Sequence, residues 1–470
     1  MEWSRLLVPQ RIRQGKRMAS RSDLRSEFEK DYHRIIGSAS FRRLQDKTQV
    51  FPLDKSDFIR TRLTHSLEVS SFARSLGQTV SQRILESGKE GFLPHHQRDI
   101  CDILQCAGLI HDIGNPPFGH FGEEVIRDWF TDNLPVLTYK GKPLTEVLTP
   151  QMQADFCNFE GNTQALRVVS KLHYLIDENG MNLTLPLLGT IIKYPVSSLE
   201  IDKNSGDIRT KKMGYYYAER EVFASIQNAL GTDGKRHPLA FLLEAADDIA
   251  YKTADIEDAY KKGCINFEQL VRELSIRGDG MDFNSYYMRL VNKLLDLRDR
   301  AAHSGFHNPE INAVQNWIVY VQGCLLNLAT DNFMRNYDAI MAGEFKGELL
   351  AQGDGALLAK ALGDIAYDYA FVSEPIYKIE IAAESTMSFL LERFVKAAIV
   401  YETDERITSV QSKLMDIISD NYLSIYHIFS KDADEAEKLY LRLLLITDSI
   451  CGMTDSYAKR LHQELSGMIL

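Results

Sequence analysis

The sequence predicts a predominantly helical protein. Apolar residues recur every three or four positions over long stretches of the 470 residues, which is the spacing of an amphipathic helix. Strand-like alternation is confined to residues 197–217, where Asn204-Ser205-Gly206 predicts the turn of a small β-hairpin. No run approaches the roughly 18 apolar residues of a membrane span. We therefore expect helices throughout, with one small hairpin excursion.

Composition and charge narrow the class of protein. The chain is 44% hydrophobic and 25% charged, and its formal net charge of −11 argues against general nucleic-acid or membrane binding. The first 62 residues differ, with 15 Lys and Arg against 8 Asp and Glu. This basic N-terminal region, above all the arm formed by residues 1–30, either faces phosphates or single-stranded DNA or is a solvated face paired with acidic surface. Six scattered cysteines without a C-x-x-C pair predict reduced thiols in a cytoplasmic protein.

Two predicted helices bring histidines into the core. A helix over 56–85 begins its inward face with His65, and a later helix carries an apolar stripe that ends on His111-Asp112. The run Gly114-Asn115-Pro116-Pro117 must end that later helix, because proline lacks the N–H and clashes with the preceding turn. Two metal-ligand types are thus predicted inside the protein at one helix end.

A new helix is expected to restart near Gly119. His120 and Glu123 are three residues apart and therefore share one face of it. Four other histidines lack such a context and are predicted at the surface or in loops: His95, His96, His303 and His307.

A helix over 237–260 supplies carboxylates. Leu243, Asp247, Tyr251 and Asp255 follow one another at steps of four, on one face. The adjacent pair Asp247-Asp248 is costly to bury without a counter-charge, which a metal would supply. Asp247 is the preferred ligand of the two, because Tyr251 and Asp255 continue its stripe, whereas Asp248 falls beside Lys252.

Together, two imidazoles and two carboxylates, each delivered by a helix, predict a mixed N/O site for a divalent first-row metal or magnesium. Any one of these residues alone is weak evidence, since a single histidine on an apolar face is usually a hydrogen-bonded core residue. The joint occurrence carries the prediction. Its members are His65, His111, Asp112 and Asp247.

Five motifs stand in order and with intact spacing: Arg42–Val50, Thr61–Ser66, His111–His120, Phe159–Asn162 and Glu244–Tyr251. Together they resemble the bacterial deoxyguanosine triphosphate triphosphohydrolases, which are HD-domain metal phosphohydrolases. The resemblance runs from about residue 20 to about residue 265. His-Asp is generic to the superfamily, whereas Asn-Pro-Pro-Phe-Gly-His is specific to this branch.

The resemblance implies an all-α HD-domain fold over residues 31–330, with residues 331–470 as a helical C-terminal region packed on it. It also implies a homo-oligomer, often hexameric, and one divalent metal per subunit, Mn²⁺ or Mg²⁺. The implied reaction is hydrolysis of a dNTP, with dGTP favoured, to deoxynucleoside and tripolyphosphate.

The resemblance further implies roles for single residues. His65, His111, Asp112 and Asp247 match metal ligands, and His120 with Glu123 matches a dyad at the scissile α-phosphate. The other matched positions lie around the sugar and the phosphates: Gln49, Val50, Arg62, Asn162, Lys193, Tyr194, Tyr251 and Asp255.

Two other functions stay open at this point. One keeps the HD chemistry on a nucleoside monophosphate or a cyclic or alarmone nucleotide. The other is a nucleotide- or single-strand-DNA-binding regulator, which the basic arm motivates. The preferred base, the native metal, an activating dNTP and the role of the C-terminal third are also open.

Overall fold

The computed structural model describes residues 1–13, 23–49, 60–282, 285–353, 355–372 and 374–469. α-Helices make up nearly all of the secondary structure there. In chain order they are α1 (Trp3–Leu6), α2 (Glu27–Ile36), α3 (Ala39–Arg43), α4 (Arg62–Glu86), α5 (Pro94–Ile110), α6 (Gly119–Asn133), α7 (Leu144–Val147), α8 (Pro150–Cys157), α9 (Gly161–Arg167), α10 (Leu185–Ile191), α11 (Arg220–Leu230), α12 (Pro238–Lys261), α13 (Phe267–Arg277), α14 (Tyr286–His303), α15 (Pro309–Arg335), α16 (Tyr337–Ala342), α17 (Ala356–Ala366), α18 (Glu374–Val400), α19 (Ser409–Asp416), α20 (Asp420–Ser430), α21 (Glu435–Cys451) and α22 (Asp455–Leu465).

Single helical turns of other types and one pair of strands complete the secondary structure of these residues. The short turns are Leu44–Asp46, Val168–Leu172, Ile208–Thr210, Tyr217–Glu219, Leu349–Ala351 and Tyr367–Phe371. Strands β1 (Thr138–Tyr139) and β2 (Lys142–Pro143) pair antiparallel. The predicted all-α class with a small hairpin is therefore confirmed. None of the helices in the described ranges combines the length and the apolar character that crossing a membrane requires.

The predicted position of the hairpin is wrong. Residues 197–217 are all described, and they form turns rather than strands. The backbone N–H of Asp202 bonds to the carbonyl of Thr210, while Ile208 donates to the carbonyl of Lys346, so this segment is held by tertiary contacts. The observed hairpin turns instead at Lys140 and Gly141, both with positive φ, as a tight two-residue turn requires.

The three helices that matter for the site begin where local chemistry favours it. The Thr61 side chain accepts the N–H of Thr64 and so caps α4. Proline stands at the first position of both α5 and α12, where its missing N–H costs nothing. The predicted helices are confirmed, but the predicted start of the first at residue 56 is wrong: α4 begins at Arg62, because Thr61 is the extended capping residue. Residues 56–59 lie outside the described residues.

Buried apolar side chains form two hydrophobic cores. The first core is built on α4, α5, α10, α12, α14, α15 and α17. The second is built on α6, α8, α18, α20 and α21. Ile113 belongs to the first core and Phe118 to the second, so residues 114–117 carry the chain from one core to the other.

Within the first core, α4 and α5 pack closely along their length. Gly108 makes this possible, because a Cβ at that position would lie 2.5 Å from the Cα of Ser70. The close approach places the first turn of α4 beside the last turn of α5. It is this contact that brings His65 and His111 together.

The described part of the basic arm is attached to the body of the protein. Trp3 and Leu6 are buried in the first core. Arg11 bonds to Glu27 and to Asp31, and Arg13 pairs with Asp177 at 2.6 Å. These arginines have acidic partners within the chain.

Candidate active site

The structure brings three of the four predicted metal ligands into one cluster, in which the two histidines are buried and the aspartate is half-buried. The rings of His65 and His111 are 5.3 Å apart, centroid to centroid. Asp247 Oδ1 lies 3.2 Å from His65 Nε2 and 3.3 Å from His111 Nε2. One ligand atom from each residue lies within 4.8 Å of the others, a spacing that one ion could bridge.

The hydrogen bond of His111 determines which of its nitrogens can bind a cation. Its Nδ1 lies 2.8 Å from the carbonyl oxygen of Gly108, which can only accept. In the neutral ring the proton therefore sits on Nδ1, and Nε2 keeps its lone pair. Nε2 is buried and has no hydrogen-bond partner among the described residues. A buried lone pair left free beside a carboxylate fits a metal ligand.

Asp112 lies at the edge of this cluster. Its Oδ1 is 3.6 Å from His111 Nε2 and accepts a hydrogen bond from the Asn115 side chain at 2.7 Å. Its Oδ2 is 2.5 Å from Nη1 of Arg62, which is almost fully buried. Burial opposes ionisation, but Arg62 and the nearby histidines outweigh it and hold the pKa of Asp112 below its usual range.

Lys193 is the second cation beside the cluster. Its Nζ donates to Asp247 Oδ2 at 2.8 Å. Burial alone would favour the neutral amine, but the Asp247 carboxylate raises the pKa of Lys193 above its usual value. Burial disfavours the charged form of His111 as well, and Asp112 and Asp247 still raise its pKa. Each of the two carboxylates therefore stays ionised beside one cation, which is the form that ligates a metal.

His120 and Glu123 form a second pair, in the first turns of α6. His120 Nδ1 lies 3.3 Å from Glu123 Oε2, and the His120 side chain is 66% exposed whereas Glu123 is 2% exposed. The hydrogen bond and charge of Glu123 raise the pKa of His120. Burial works against the Glu123 carboxylate, but His120 and the backbone N–H of Gly161 keep its pKa low. The pair therefore favours an imidazolium beside a carboxylate.

Gly161 lies between the cluster and the pair. Its N–H donates to Glu123 Oε1 at 2.9 Å. A Cβ at this position would lie 1.9 Å from Asn115 Oδ1 and 2.5 Å from Glu123 Oε1, so only glycine lets the two side chains approach. Asn115 in turn holds Asp112. The two halves of the site are thus in direct structural contact.

The other predicted site residues lie in several surroundings. Gln49 has a buried Oε1 without a hydrogen-bond partner among the described residues, and Val50 lies outside the described residues. Asn162 donates to Glu160 Oε1 at 2.8 Å. Tyr194 is buried, and burial raises its pKa.

Tyr251 and Asp255 follow Asp247 on α12, as the spacing predicted. Tyr251 stacks on Phe371, with ring centroids 6.1 Å apart. Asp255 is buried with no hydrogen bond from the described residues to either carboxylate oxygen, and burial raises its pKa well above the usual range. Lys252 donates to Asp248 at 2.5 Å, so Asp248 lies beside Lys252 as the spacing predicted, and the choice of Asp247 as metal ligand stays a prediction.

Some residues of the site were missed by sequence reasoning. Lys212 lies 2.7 Å from Glu160 Oε2, so the segment predicted to be a hairpin brings a cation beside Asn162. Asp455 and Lys47 reach the site from parts of the chain about 400 residues apart. Periodicity does not report such pairings. His96, predicted at the surface or in a loop, is buried in α5.

Comparisons with known proteins agree with this geometry. The family model described as "HD domain" matches residues 62–178. A deoxyguanosinetriphosphate triphosphohydrolase-like protein of Listeria monocytogenes is 49% identical over 100% of both chains, and one of Pseudomonas aeruginosa is 34% identical over 99% of each. A protein of Klebsiella pneumoniae described as deoxyguanosinetriphosphate triphosphohydrolase is 32% identical over 95% of each chain.

The helical fold and the His/Asp cluster define an HD-domain phosphohydrolase. Hydrolases of this class are metal-dependent. Within that class, the chain belongs to the deoxyguanosinetriphosphate triphosphohydrolase family. The resemblance predicted from the five motifs is thereby confirmed.

Proposed function

We propose that this protein is a dNTP triphosphohydrolase that hydrolyses its substrate at the α-phosphate, giving deoxynucleoside and tripolyphosphate. The proposal rests on the contact between the cluster of His65, His111 and Asp247, which could bind a cation, and the pair of His120 and Glu123. In the sequence, only residues 114–117 lie between Ile113 of the first core and Phe118 of the second. Phosphate ester hydrolysis requires both a centre that binds the phosphoryl oxygens and an acid for the leaving group.

We assign one divalent metal, Mn²⁺ or Mg²⁺, to His65, His111, Asp112 and Asp247. The donor set of two imidazoles and two carboxylates suits such an ion. When bound, the ion polarises a phosphoryl oxygen and lowers the pKa of water. Arg62 and Lys193 hold the two carboxylates at 2.5 and 2.8 Å, so both aspartates stay ionised for ligation.

His120 is assigned the acid. Glu123 accepts a hydrogen bond from Nδ1 of His120. The proton on Nε2 of the imidazolium is therefore the one that His120 can donate. That proton goes to the 5′-oxygen of the deoxyribose as its bond to the α-phosphorus breaks, while the oxygen of a water molecule bonds to the α-phosphorus and loses a proton to solvent. Glu123 selects the orientation of the ring and favours its charged form.

Eight further residues are proposed to bind the substrate. Arg62, Lys193, Asn162 and Tyr194 are assigned to the phosphates and the nearby deoxyribose. Gln49 and Val50 are assigned to the sugar, where close packing at C2′ and a hydrogen bond to the 3′-OH would exclude ribonucleotides. Tyr251 and Asp255 are assigned to the same side, and the unpartnered carboxylate of Asp255 supports a polar contact there.

The preference for dGTP rests on the description of the Klebsiella pneumoniae relative. A homo-oligomer, a hexamer by resemblance, and an activating dNTP remain predictions. Binding of single-stranded DNA at the N-terminal region also remains one. The acidic partners of Arg11 and Arg13 weigh against it, since these guanidinium groups already have ionic contacts.

Product analysis tests the proposed reaction. Purified protein is incubated with each dNTP singly and with all four mixed, in Mn²⁺ and in Mg²⁺. Deoxynucleoside with tripolyphosphate is expected, and activity only in the mixture would reveal an activating nucleotide. Monophosphate with pyrophosphate would contradict the role given to His120. No product from any dNTP would refute the proposed function.

A further inference from the structure

Asp455, at the start of α22, is a buried carboxylate far from the proposed ligands in sequence. It is 1% exposed. Its Oδ2 accepts from the backbone N–H of Thr48 at 2.9 Å and from the Thr48 hydroxyl at 2.6 Å. Its Oδ1 accepts from the backbone N–H of Phe118 at 2.9 Å. All three donors belong to segments that continue directly into proposed site residues.

The first segment leads to the sugar side of the site. Thr48 immediately precedes Gln49, whose side-chain oxygen is buried and unpartnered among the described residues. Lys47, one residue earlier, donates from Nζ to the carbonyls of Asn115 and Cys451 at 2.6 and 2.5 Å. Residues 47–48 are therefore held on both sides, by the end of α21 and by the start of α22.

The second segment leads to the proposed acid. Phe118 has φ of 63°, and Gly119 after it has φ of 62°. A left-handed conformation costs a non-glycine residue on the order of 1 kcal/mol, so neighbouring contacts must hold it. The bond from Phe118 to Asp455 is such a contact. It fixes the direction in which α6 leaves the break, and with it the position of His120.

We propose that Asp455 is a positioning residue that holds Gln49 and His120 in their places relative to the metal cluster. This inference rests on the proposed function. Asp455 does not reach the reacting atoms and acts through Thr48 and Phe118. One carboxylate thus links the sugar-binding segment and the acid-bearing helix.

Asp455→Asn is the first test. The amide keeps one acceptor oxygen but turns an NH₂ group toward donors, so one of the two segments loses its partner. A displacement of about 1 Å in a catalytic group can cost about 10²-fold in rate, and we expect kcat to fall by roughly 10- to 100-fold. Bound metal, measured in the purified protein, should stay at the wild-type level. Ser456→Ala, which removes the neighbouring exposed contact to Asp46, is the matched control and should keep wild-type kcat.

A double-mutant cycle separates positioning from general destabilisation. If Asp455 acts through His120, Asp455→Asn should cost little once His120→Ala is present. Full additivity of the two losses would overturn the part of the proposal that concerns His120, and wild-type kcat in Asp455→Asn would overturn the whole of it. If Asp455→Asn does not fold, Thr48→Val removes only the hydroxyl bond. Discrimination between dNTP and ribonucleotide should then fall, and unchanged discrimination would overturn the sugar-side part.

Hydrogen exchange distinguishes failure of this inference from failure of the proposed function. Amides of residues 118–123 and 47–49 should exchange faster in Asp455→Asn, or over 47–49 in Thr48→Val, than in Ser456→Ala. If the wild-type protein releases no product from any dNTP, the proposed function is wrong, and faster exchange would still support the positioning of these segments. Unchanged exchange would overturn the inference whatever the activity.

Discussion

The two halves of the site differ in how the protein holds them. The proposed metal cluster belongs to helices of the first core, and His65, His111 and their neighbours Arg62 and Lys193 are buried. The proposed acid, His120, belongs to α6 of the second core, and its side chain is largely exposed. A metal site needs ligands that cannot move, whereas an acid must be reprotonated from solvent after each turnover. The burial of the two histidines in the cluster and the exposure of His120 agree with these different requirements.

The largest effect should come from breaking the buried half. His111→Ala removes a ligand nitrogen, and we expect bound metal to be lost together with turnover, by at least about 10⁴-fold, more than loss of an acid alone. Metal content and product release measure this. His96→Ala, which removes another buried histidine of the same helix, is the control and should retain both. A His111→Ala protein with full metal content would show that the cluster is assigned wrongly.

Breaking the exposed half should have a smaller effect of a different kind. His120→Ala should keep its metal and lose about 10²–10⁴-fold in kcat, the usual contribution of a general acid. His427 pairs with Glu402 at 2.9 Å on the surface, so His427→Ala is a matched control. Loss of metal from the His120 variant would contradict the separation of the two halves.

Lys47, which donates to the carbonyl of Asn115 between the two halves, should affect how the free energy of unfolding depends on pH. Burial lowers the pKa of Lys47 to about 8, against 10.5 ordinarily. Between these values the unfolded chain binds one more proton than the folded one, so stability rises with pH. Relative to Lys47→Met, the free energy of unfolding of the wild type should rise by about 3 kcal/mol from pH 8 to 10.5. Denaturant unfolding across this range measures it, with Lys431→Met as the exposed-lysine control. A constant difference between wild type and Lys47→Met would contradict the burial of Lys47 as a cation.

The smallest effect concerns the tuning of the acid. Glu123 raises the pKa of His120, so the acid form persists to higher pH than it would alone. Glu123→Gln removes this charge, and the alkaline fall of kcat should move to lower pH, while the acidic side keeps most of its rate. A pH–rate profile measured in parallel with the wild type tests this. An alkaline limb that does not move would mean that His120 is not the group that titrates.

The helices of the first core and its cluster of His65, His111 and Asp247 were predictable from the sequence. Much of the second core was not. His65, His111 and Asp247 lie on helices with strong apolar periodicity, so spacing alone places them inward. Proline and glycine after His111 mark the break, because their backbone limits are local properties. Features of this kind depend only on residues that are close together in the sequence, so the sequence alone predicts them.

The unpredicted features depend on pairing between distant residues. Asp448 bonds to Gln164 and Arg167, and Asp455 to Thr48, across about 280 to 410 positions. No local pattern distinguishes these aspartates from solvated ones. The hairpin was misplaced for a related reason: Asn204-Ser205-Gly206 does form a turn, but tertiary contacts such as that of Ile208 with Lys346 prevent strand pairing.

Only four residues connect Ile113 of the first core to Phe118 of the second, so this connection restricts the relative movement of the two segments that it joins. Proline fills two of these positions, and Lys47 and Asp455 fix the ends. A displacement of the second core relative to the first would therefore change the distance between the proposed metal ligands and His120. If the proposed roles are correct, a contact elsewhere on the second core would change the rate through that distance, with the substrate pocket open and the ligands in place.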